Sequence, residues 1–245
     1  EIRNTVMQEV LDSAYRSAGE DHSFRAFVDT QGLGRDDRLI PEILEKVYDS
    51  ARCHLDPEGW LDSCLEAVDV EGVSDAAETI WGQYLVGEFR AYLDDQIAVL
   101  TKCVVDATAC PGLEKPAVNL KQTLEQIQNL RNSGNWDEIV RNRNIDYGRL
   151  TFPRKCEDPE LVERVKAARN ACKKGIEKQL HSFTDDSKQV LQDLTESAEG
   201  ADGIIRLVRA FDRAFARAKR IRRCVDFGDL EHMTLNLLLG KSRSG

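Results

Sequence analysis

The chain has 245 residues, a length that permits one large domain or two small ones. Its 41% hydrophobic and 31% charged residues, with only 6 prolines, are typical of helical globular proteins and argue against a disordered chain, a fibre or a membrane-spanning protein. The net charge of −9 disfavours a nucleic-acid partner, but residues 1–100 carry 8 Lys/Arg against 22 Asp/Glu, a net of −14, whereas residues 101–245 carry 26 against 21, a net of +5.

Apolar residues recur at spacings of three and four almost throughout, and no stretch alternates as a half-buried strand would, so we predict an all-α fold. A first helix is expected from about Asn4 to Ser17, and a second, short one after Ser23. After a turn at residues 31–37, Asp37 is the predicted N-cap of a third helix. That helix ends before the Asp56-Pro57 break, and Pro57 opens a fourth.

The longest helix is predicted from about Ser74 past Val104, as the spine of an irregular multi-helix domain. Its expected inward face consists of apolar residues at helical spacing: Ala77, Trp81, Tyr84, Leu85, Tyr92, Leu93, Ile97, Leu100 and Val104. The Cys110-Pro111-Gly112 break ends this region. A helix from about Lys115 to Asn132 and a short one around Trp136 are expected next.

A further helix is predicted after Asp158-Pro159, and the last long helix from about Asp202 to Arg223. The first of these has one apolar stripe formed by Leu161, Val165, Ala168, Cys172, Ile176, Leu180 and Phe183. The expected inward residues of the second are Ile204, Leu207, Val208, Phe211, Phe215, Ala218 and Ile221. A new element begins at residue 225, which divides the predicted domains into 1–224 and 225–245.

Five arginines of the last long helix recur at spacings of 3, 4, 4 and 3, and these are Arg206, Arg209, Arg213, Arg217 and Arg220. They fall within about a quarter of the helix circumference, opposite the phenylalanines of the apolar stripe. Such a ridge either pairs with the acidic residues 1–100 or binds phosphate oxygens without reading sequence. Arg149, Arg154 and Lys155, in a loop, are candidates to extend a DNA-binding surface.

We find no catalytic or metal-binding constellation in the sequence. The four histidines are scattered, and no Ser or Cys has a partner that the sequence identifies. The seven cysteines include no C-x-x-C pair, so we expect reduced and mostly buried thiols in a cytoplasmic protein without a metal. The string Asp226-Phe227-Gly228 lacks every other kinase motif, and Gly240-Lys241-Ser242 has Leu235 where a phosphate-binding loop needs its first glycine. No cofactor is therefore expected in this segment.

The segment AKRIRRCVDFGDLEHMTLNLL resembles the AddA subunit of bacterial AddAB-type helicase/nucleases, which are UvrD-like superfamily 1 helicases. The motif residues are Asp226, Phe227, Asp229, Leu230, Glu231 and His232. The segment RDDRLIPEILEKVYDSARCHLDPEGWLDSCLE resembles an upstream part of the same subunits, through Asp37, Leu39, Ile43, Leu44, Tyr48, Ser50, Pro57, Trp60 and Leu61. Between them, DYGRLTFPRKCEDPELVERVKAARNACKK is similar to a weaker central pattern of the family.

The resemblance implies that this chain is the inserted 1B-type subdomain, which lies against double-stranded DNA, and that the Asp226 segment is where the chain returns to the motor. The chain starts at Glu1 without a methionine or signal sequence, as expected of an interior piece. The parent would use ATP and Mg²⁺ to unwind DNA ends, would resect them with a nuclease in recombinational repair, and would work with an AddB-type subunit. We expect no membrane partner.

The residues themselves predict that Asp226 is the N-cap of a helix and that Asp229 is its third residue. Glu231, near the start of the same helix, is favoured by the helix dipole. That makes Asp226 a structural residue rather than a catalytic one. Three hypotheses stay open: a DNA-contacting accessory subdomain, a structural or protein-binding helical insert that does not touch DNA, and an unrelated helical module.

Overall fold

The structure, a computed structural model, describes residues 2–32, 37–153 and 158–239, and within these ranges it contains only helices, turns and loops. The predicted all-α fold is confirmed. The α-helices are α1 (Ile2–Ser17), α2 (His22–Gly32), α3 (Ile40–Arg52), α4 (Pro57–Glu66), α5 (Ile80–Ala109), α6 (Glu114–Arg131), α7 (Trp136–Asn142), α8 (Pro159–Gln179), α9 (Ser187–Arg222) and α10 (Phe227–Leu238). Single turns of 3-10 helix lie at Asp37–Leu39, Ala76–Glu78 and Leu180–Ser182.

Two helices begin at an Asp-Pro pair, as the sequence predicted. The Asp56 carboxylate accepts a hydrogen bond from the N–H of Gly59, and the Asp158 carboxylate accepts one from the N–H of Leu161. In both cases proline occupies the first turn, where its missing N–H costs no hydrogen bond. The pair therefore stops the preceding segment and starts α4 or α8.

The chain folds as two compact units, of which the second comprises Glu71–Gln192. Its centre is α5, which packs against α6 and α8. The Trp136 indole N–H donates to the Asp185 carbonyl at 2.9 Å, and the rings of Phe89 and Phe183 lie 5.0 Å apart. The fully buried residues of this core include Leu93, Leu100, Leu113, Leu120, Ile127, Leu130, Ile139, Val165, Cys172 and Ile176.

The first unit comprises Glu1–Val70 and Asp193–Gly245, so α9 belongs to it from Asp193 onward. Aromatic residues form the centre of its core: the Tyr48 ring meets the Phe211 ring edge-on at 4.9 Å, and Phe211 stacks with Phe215 at 5.5 Å. Other buried residues of this core are Val6, Leu11, Phe24, Phe27, Ile40, Leu44, Leu61, Leu207 and Val208. The predicted division at residue 224 stays a prediction, because these units reflect packing within this segment only.

Several predicted helix boundaries are wrong. Asp37 is not the N-cap of α3, because it belongs to a 3-10 turn and Leu39 precedes the helix without a side-chain cap. The helix α5 begins at Ile80 and not at Ser74. Its N-cap is Thr79, whose hydroxyl accepts a hydrogen bond from the Gly82 N–H at 2.9 Å. The turn predicted at 31–37 falls mainly on residues 33–36, outside the described residues.

The longest helix is α9, with 36 residues, and not α5, with 30. It begins at Ser187, fifteen residues before the predicted start at Asp202. At the observed start, the Asp186 carboxylate accepts a hydrogen bond from the Gln189 N–H. The first turns of α9 are mostly polar, so no apolar stripe revealed them in the sequence. Three residues predicted to face inward are instead exposed: Trp81 at 53%, Tyr84 at 65% and Ile221 at 73%.

The six thiols that the structure describes are less buried than predicted, and Cys156 lies outside the described residues. Cys172 is buried, Cys64, Cys103 and Cys110 are half-buried, and Cys53 and Cys224 are exposed, and all six are free of disulfides. No group of three potential metal ligands comes together among the described residues. Within the same ranges, no helix combines the length and apolar character needed to cross a bilayer.

Two glycines of α5 provide a matched test of this packing. An added Cβ at Gly82 would overlap the backbone of Ala76 and Ala77, whereas one at Gly87 would meet nothing within 4 Å. We expect Gly82→Ala to destabilise the chain by about 1–3 kcal/mol through overpacking. Gly87→Ala should stabilise it by about 0.5–1 kcal/mol, because alanine has the higher helix propensity. Urea unfolding measures both, and equal effects of the two substitutions would contradict the packing of α5.

Candidate nucleic-acid interface

The arginines predicted to form one ridge lie on the face of α9 opposite its buried stripe. Phe211 and Phe215 are buried in the core of the first unit, which fixes the rotation of the helix about its axis. At about 100° per residue, the five positions 206, 209, 213, 217 and 220 then lie on the outward side. We call these five residues the arginine ridge. They do not share one environment.

Two arginines of the ridge are occupied by carboxylates. Arg209 is only 22% exposed, and its Nε lies 2.8 Å from a Glu58 carboxylate oxygen while its Nη2 donates to Asp62. The hydrogen bond with Asp62 raises the pKa of Arg209, with Glu58 adding to the effect. The Nη1 of Arg206 lies 3.7 Å from Asp21, and 3.5 Å from Asp202 on its own helix. This part of the ridge matches the salt-bridge interpretation.

The other three arginines are exposed. Arg213, Arg217 and Arg220 project from the surface of α9, and none of them forms an ion pair with a described residue. The first and last of them are seven residues apart, which is about 10 Å along the helix axis. Three guanidinium groups in a row, each with free donors, are suited to bind the oxygens of successive phosphates.

Of the three loop residues predicted to extend a DNA-binding surface, the structure describes only Arg149. Its side chain is exposed and lies in the second unit, beside a cleft that also includes Phe152 and Lys166. Arg154 and Lys155 lie outside the described residues, so their part in a DNA-binding surface stays a prediction.

The end of α9 reverses the chain into α10 through a left-handed residue. Arg223 has φ 53°, and the N–H of Cys224 donates to the Lys219 carbonyl at 3.1 Å. This is the pattern of a Schellman cap, which satisfies carbonyls at a helix end. The reversal brings Asp226 back beside Lys219.

The predicted capping role of Asp226 is confirmed. Its carboxylate accepts a hydrogen bond from the Asp229 N–H at 2.8 Å, and the Asp229 carboxylate accepts one from the Asp226 N–H at 3.1 Å. Together they form a capping box at the start of α10. The other motif residues differ in exposure, with Phe227 at 85%, Leu230 at 48%, Glu231 exposed and His232 half-buried.

The capping box is held by a buried lysine. Lys219 is only 6% exposed, and its ammonium lies 2.8 Å from Asp226, 2.7 Å from Asp229 and 4.3 Å from the centre of the Phe215 ring. Arg52 lies 3.5 Å from Asp229. A buried ammonium needs such compensation, so these contacts attach α10 to α9 and α3.

The charges also set the ionisation of the cap. Partial burial opposes ionisation of Asp226, but hydrogen bonds from Lys219 and from the Asp229 N–H outweigh it and lower the pKa of this carboxyl. The ring Nε2 of His232 lies 2.9 Å from the Arg52 carbonyl oxygen and completes the docking of α10. Three motif residues, Asp226, Asp229 and His232, therefore hold α10 in place, whereas a role for Phe227, Leu230 and Glu231 stays a prediction.

The sequence did not reveal the partners of the arginine ridge or of the capping box. Glu58 and Asp62 pair with an arginine about 150 residues away, and no local pattern connects them. The partners of Lys219 could have been suspected from the sequence, because this lysine lies four residues after Phe215 on the buried side of α9. Burial of an unpaired lysine is costly, so nearby carboxylates were to be expected.

Comparison with curated proteins finds one kind of protein repeatedly. The chain is 30% identical over 251 residues to the A subunit of the ATP-dependent helicase/nuclease of Bacillus licheniformis and, likewise over 251 residues, 30% identical to that of Pelotomaculum thermopropionicum. It is 26% identical over 252 residues to the corresponding protein of Ruminiclostridium cellulolyticum. Each alignment covers 100% of this chain and 20% of the relative, so the chain spans about one fifth of the length of these proteins. No family model matches it.

Substitutions at Asp226 test the capping box and its charge. Because the folded pKa of Asp226 is lowered below the unfolded value of about 3.9, its stabilisation is present above that pH and is lost as the pH falls through the folded pKa. Asp226→Asn keeps the cap but removes the charge, so we expect lower stability at pH 7 and a difference that narrows below about pH 4. Asp226→Ala should cost about 1 kcal/mol more.

Urea unfolding at pH 7 and pH 3.5 makes this comparison. Equal stability of Asp226→Asn and the unsubstituted chain at pH 7 would contradict a stabilising contact between Lys219 and Asp226.

Proposed function

Because the whole chain matches one fifth of the A subunits of ATP-dependent helicase/nucleases, we propose that it is an accessory subdomain of such a protein and contacts the backbone of double-stranded DNA. The observation that supports this most strongly is the row of exposed arginines at 213, 217 and 220, which form no ion pair with a described residue. Arg149, Arg154 and Lys155 are proposed as further contacts. The chain itself supplies no catalytic residue in this proposal.

The chemistry of the ridge favours phosphates over bases. Guanidinium groups bind phosphate oxygens with two parallel hydrogen bonds, and arginines repeated on one helix face follow a backbone rather than a base sequence. Contact of this kind releases counterions from DNA, so its affinity depends steeply on salt and not on sequence. We therefore propose binding that is independent of sequence and strongest at low ionic strength.

The parent's activity is proposed from the names of the relatives and not from residues of this chain. We propose a bacterial, cytoplasmic helicase/nuclease that uses ATP and Mg²⁺ to unwind and resect broken DNA ends in recombinational repair. Its remaining domains and an AddB-type subunit would be the protein partners of this segment. The lysine-held capping box would fix the direction in which the chain leaves α9 toward those domains.

The alternative is a structural or protein-binding insert that does not touch DNA. The pairing of Arg206 and Arg209 with Asp21, Glu58 and Asp62 supports it, because these contacts fill part of the ridge from within the chain. The two hypotheses differ in what they predict for the three exposed arginines.

Replacing Arg213, Arg217 and Arg220 by glutamine should abolish most DNA binding without unfolding the chain, since the three side chains are exposed. The three ridge contacts contribute about −2.7 to the salt slope, so a fourfold rise in salt should weaken their share of the binding roughly 40-fold. The variant should lose this share of the salt dependence. Fluorescence anisotropy of a labelled forked duplex between about 50 and 200 mM salt measures both.

A control with the same loss of charge replaces Lys115, Lys174 and Lys178 by glutamine. These lysines are exposed and belong to α6 and α8, so the control should retain the affinity of the unsubstituted chain. Equal weakening by both triple variants would mean attraction by overall charge, and absence of binding by the folded chain at about 50 mM salt would favour the structural alternative.

The acidic partners of Arg209 allow a test in the opposite direction. Glu58→Gln with Asp62→Asn removes the carboxylates that occupy this guanidinium, and both carboxylates are themselves largely exposed. We expect tighter duplex binding and a salt slope steeper by about 0.9, equivalent to one more phosphate contact. The same anisotropy titration measures it. A tighter complex with an unchanged slope would indicate reduced repulsion rather than a released arginine.

A further inference from the structure

A second basic surface lies in the other compact unit and uses none of the residues of α9. A cleft between the loop after α7 and the helix α8 is lined by three cations and one amide and by no carboxylate of the described residues. Its lining consists of Gly148, Arg149, Leu150, Phe152, Lys166, Arg169 and Asn170. We call it the α8 cleft.

The loop side of the cleft is fixed by hydrogen bonds. Arg169 donates from Nη2 to the carbonyls of Tyr147 at 2.6 Å and Gly148 at 2.7 Å, and Asn119 donates to the Tyr147 carbonyl at 3.1 Å. Gly148 has φ +58°, a conformation that favours glycine, and its N–H donates to Asp146 at 2.8 Å. The backbone beside Arg149 is thus held in place before any ligand binds.

The helix side is fixed by aromatic contacts. The ammonium of Lys166 lies 5.1 Å from the centre of the Phe152 ring, and the guanidinium of Arg169 lies 5.6 Å from that of Tyr147. Lys166 also pairs with Glu163 at 2.7 Å, an exposed contact between neighbours on one helix. Such a pair contributes little stability, so an anion in the cleft competes with it at small cost.

Donors remain free in this cleft. Arg149 has no ion pair with a described residue, and Lys166 uses one of its three N–H groups for Glu163. The Nε of Arg169 is buried and makes no hydrogen bond with the described chain. Cations with free donors, placed on a prearranged loop and free of competing carboxylates in the lining, form a binding site for a dianion or a phosphodiester.

We propose that the α8 cleft binds a phosphate of the nucleic-acid backbone, as a second contact independent of the arginine ridge; this rests on the proposed function. The ligand is a phosphodiester held by Arg149 and Lys166, with Arg169 positioning the loop. A contact made to a phosphate oxygen carries no sequence information. The contact at this cleft is therefore independent of sequence.

The test replaces Arg149 and Lys166 by glutamine and compares the chain with a control in which Lys174 and Lys178 of α8 are replaced by glutamine. Both variants lose two charges from the surface of the same unit, but only the first alters the cleft. Fluorescence anisotropy with a labelled duplex between about 50 and 200 mM salt gives the slope of log affinity against log salt. We expect this slope to be smaller in magnitude by about 1.8 for the cleft variant, so that its affinity falls roughly tenfold less over this range. The control slope should stay unchanged.

Combining the cleft variant with the ridge variant separates the two claims. Additive reductions of the slope support two independent contacts. Normal binding by the cleft variant together with loss by the ridge variant overturns this inference and leaves the proposed function standing. Titration of the chain with inorganic phosphate and with ATP tests the source of the phosphate. If either ligand saturates the cleft at low millimolar concentration while the cleft variant binds duplex DNA normally, the cleft is a small-anion site and the inference is overturned.

Discussion

The burial of Phe211 and Phe215 against Tyr48 is the interaction on which the arrangement of the first unit depends. It fixes the rotation of α9, and helical geometry then places five arginines on the opposite side. The same orientation places Lys219 on the inner side, where it holds the two carboxylates that begin α10. One apolar contact thus decides both which arginines are exposed and how the chain leaves the helix.

Competition between carboxylates and phosphates concerns two arginines of the ridge. Glu58 and Asp62 bind Arg209 much as phosphate oxygens would, so under the proposed function a nucleic acid would compete with these carboxylates for the same guanidinium. Both carboxylates are largely exposed although Arg209 is not, so solvent weakens these ion pairs and lowers the free-energy cost of exchange. The net charge of −9 therefore does not exclude a polyanion, because the positions of the unpaired cations decide where one binds.

The sequence predicted what depends on local periodicity and capping. The two Asp-Pro starts, the stripe of α8 and the Asp226–Asp229 capping box are all encoded within a few residues, and the structure confirms them. The start of α9 was missed because its first turns carry no apolar stripe. The partners of Arg209 and Lys219 depend on packing between distant parts of the chain, which periodicity does not encode. Similarity to one fifth of longer proteins confirms the resemblance to helicase/nuclease subunits, whereas contact with DNA stays a proposal.

The most direct test of that contact observes the arginine side chains themselves. In a chain labelled with ¹⁵N-arginine, the Nε–H signals report each guanidinium while an unlabelled duplex is added at low salt. We expect the signals of Arg213, Arg217 and Arg220 to shift on binding, while that of Arg131, which is paired with Asp94, stays in place. Shifts spread evenly over all exposed arginines, or none at the three ridge positions, would contradict it.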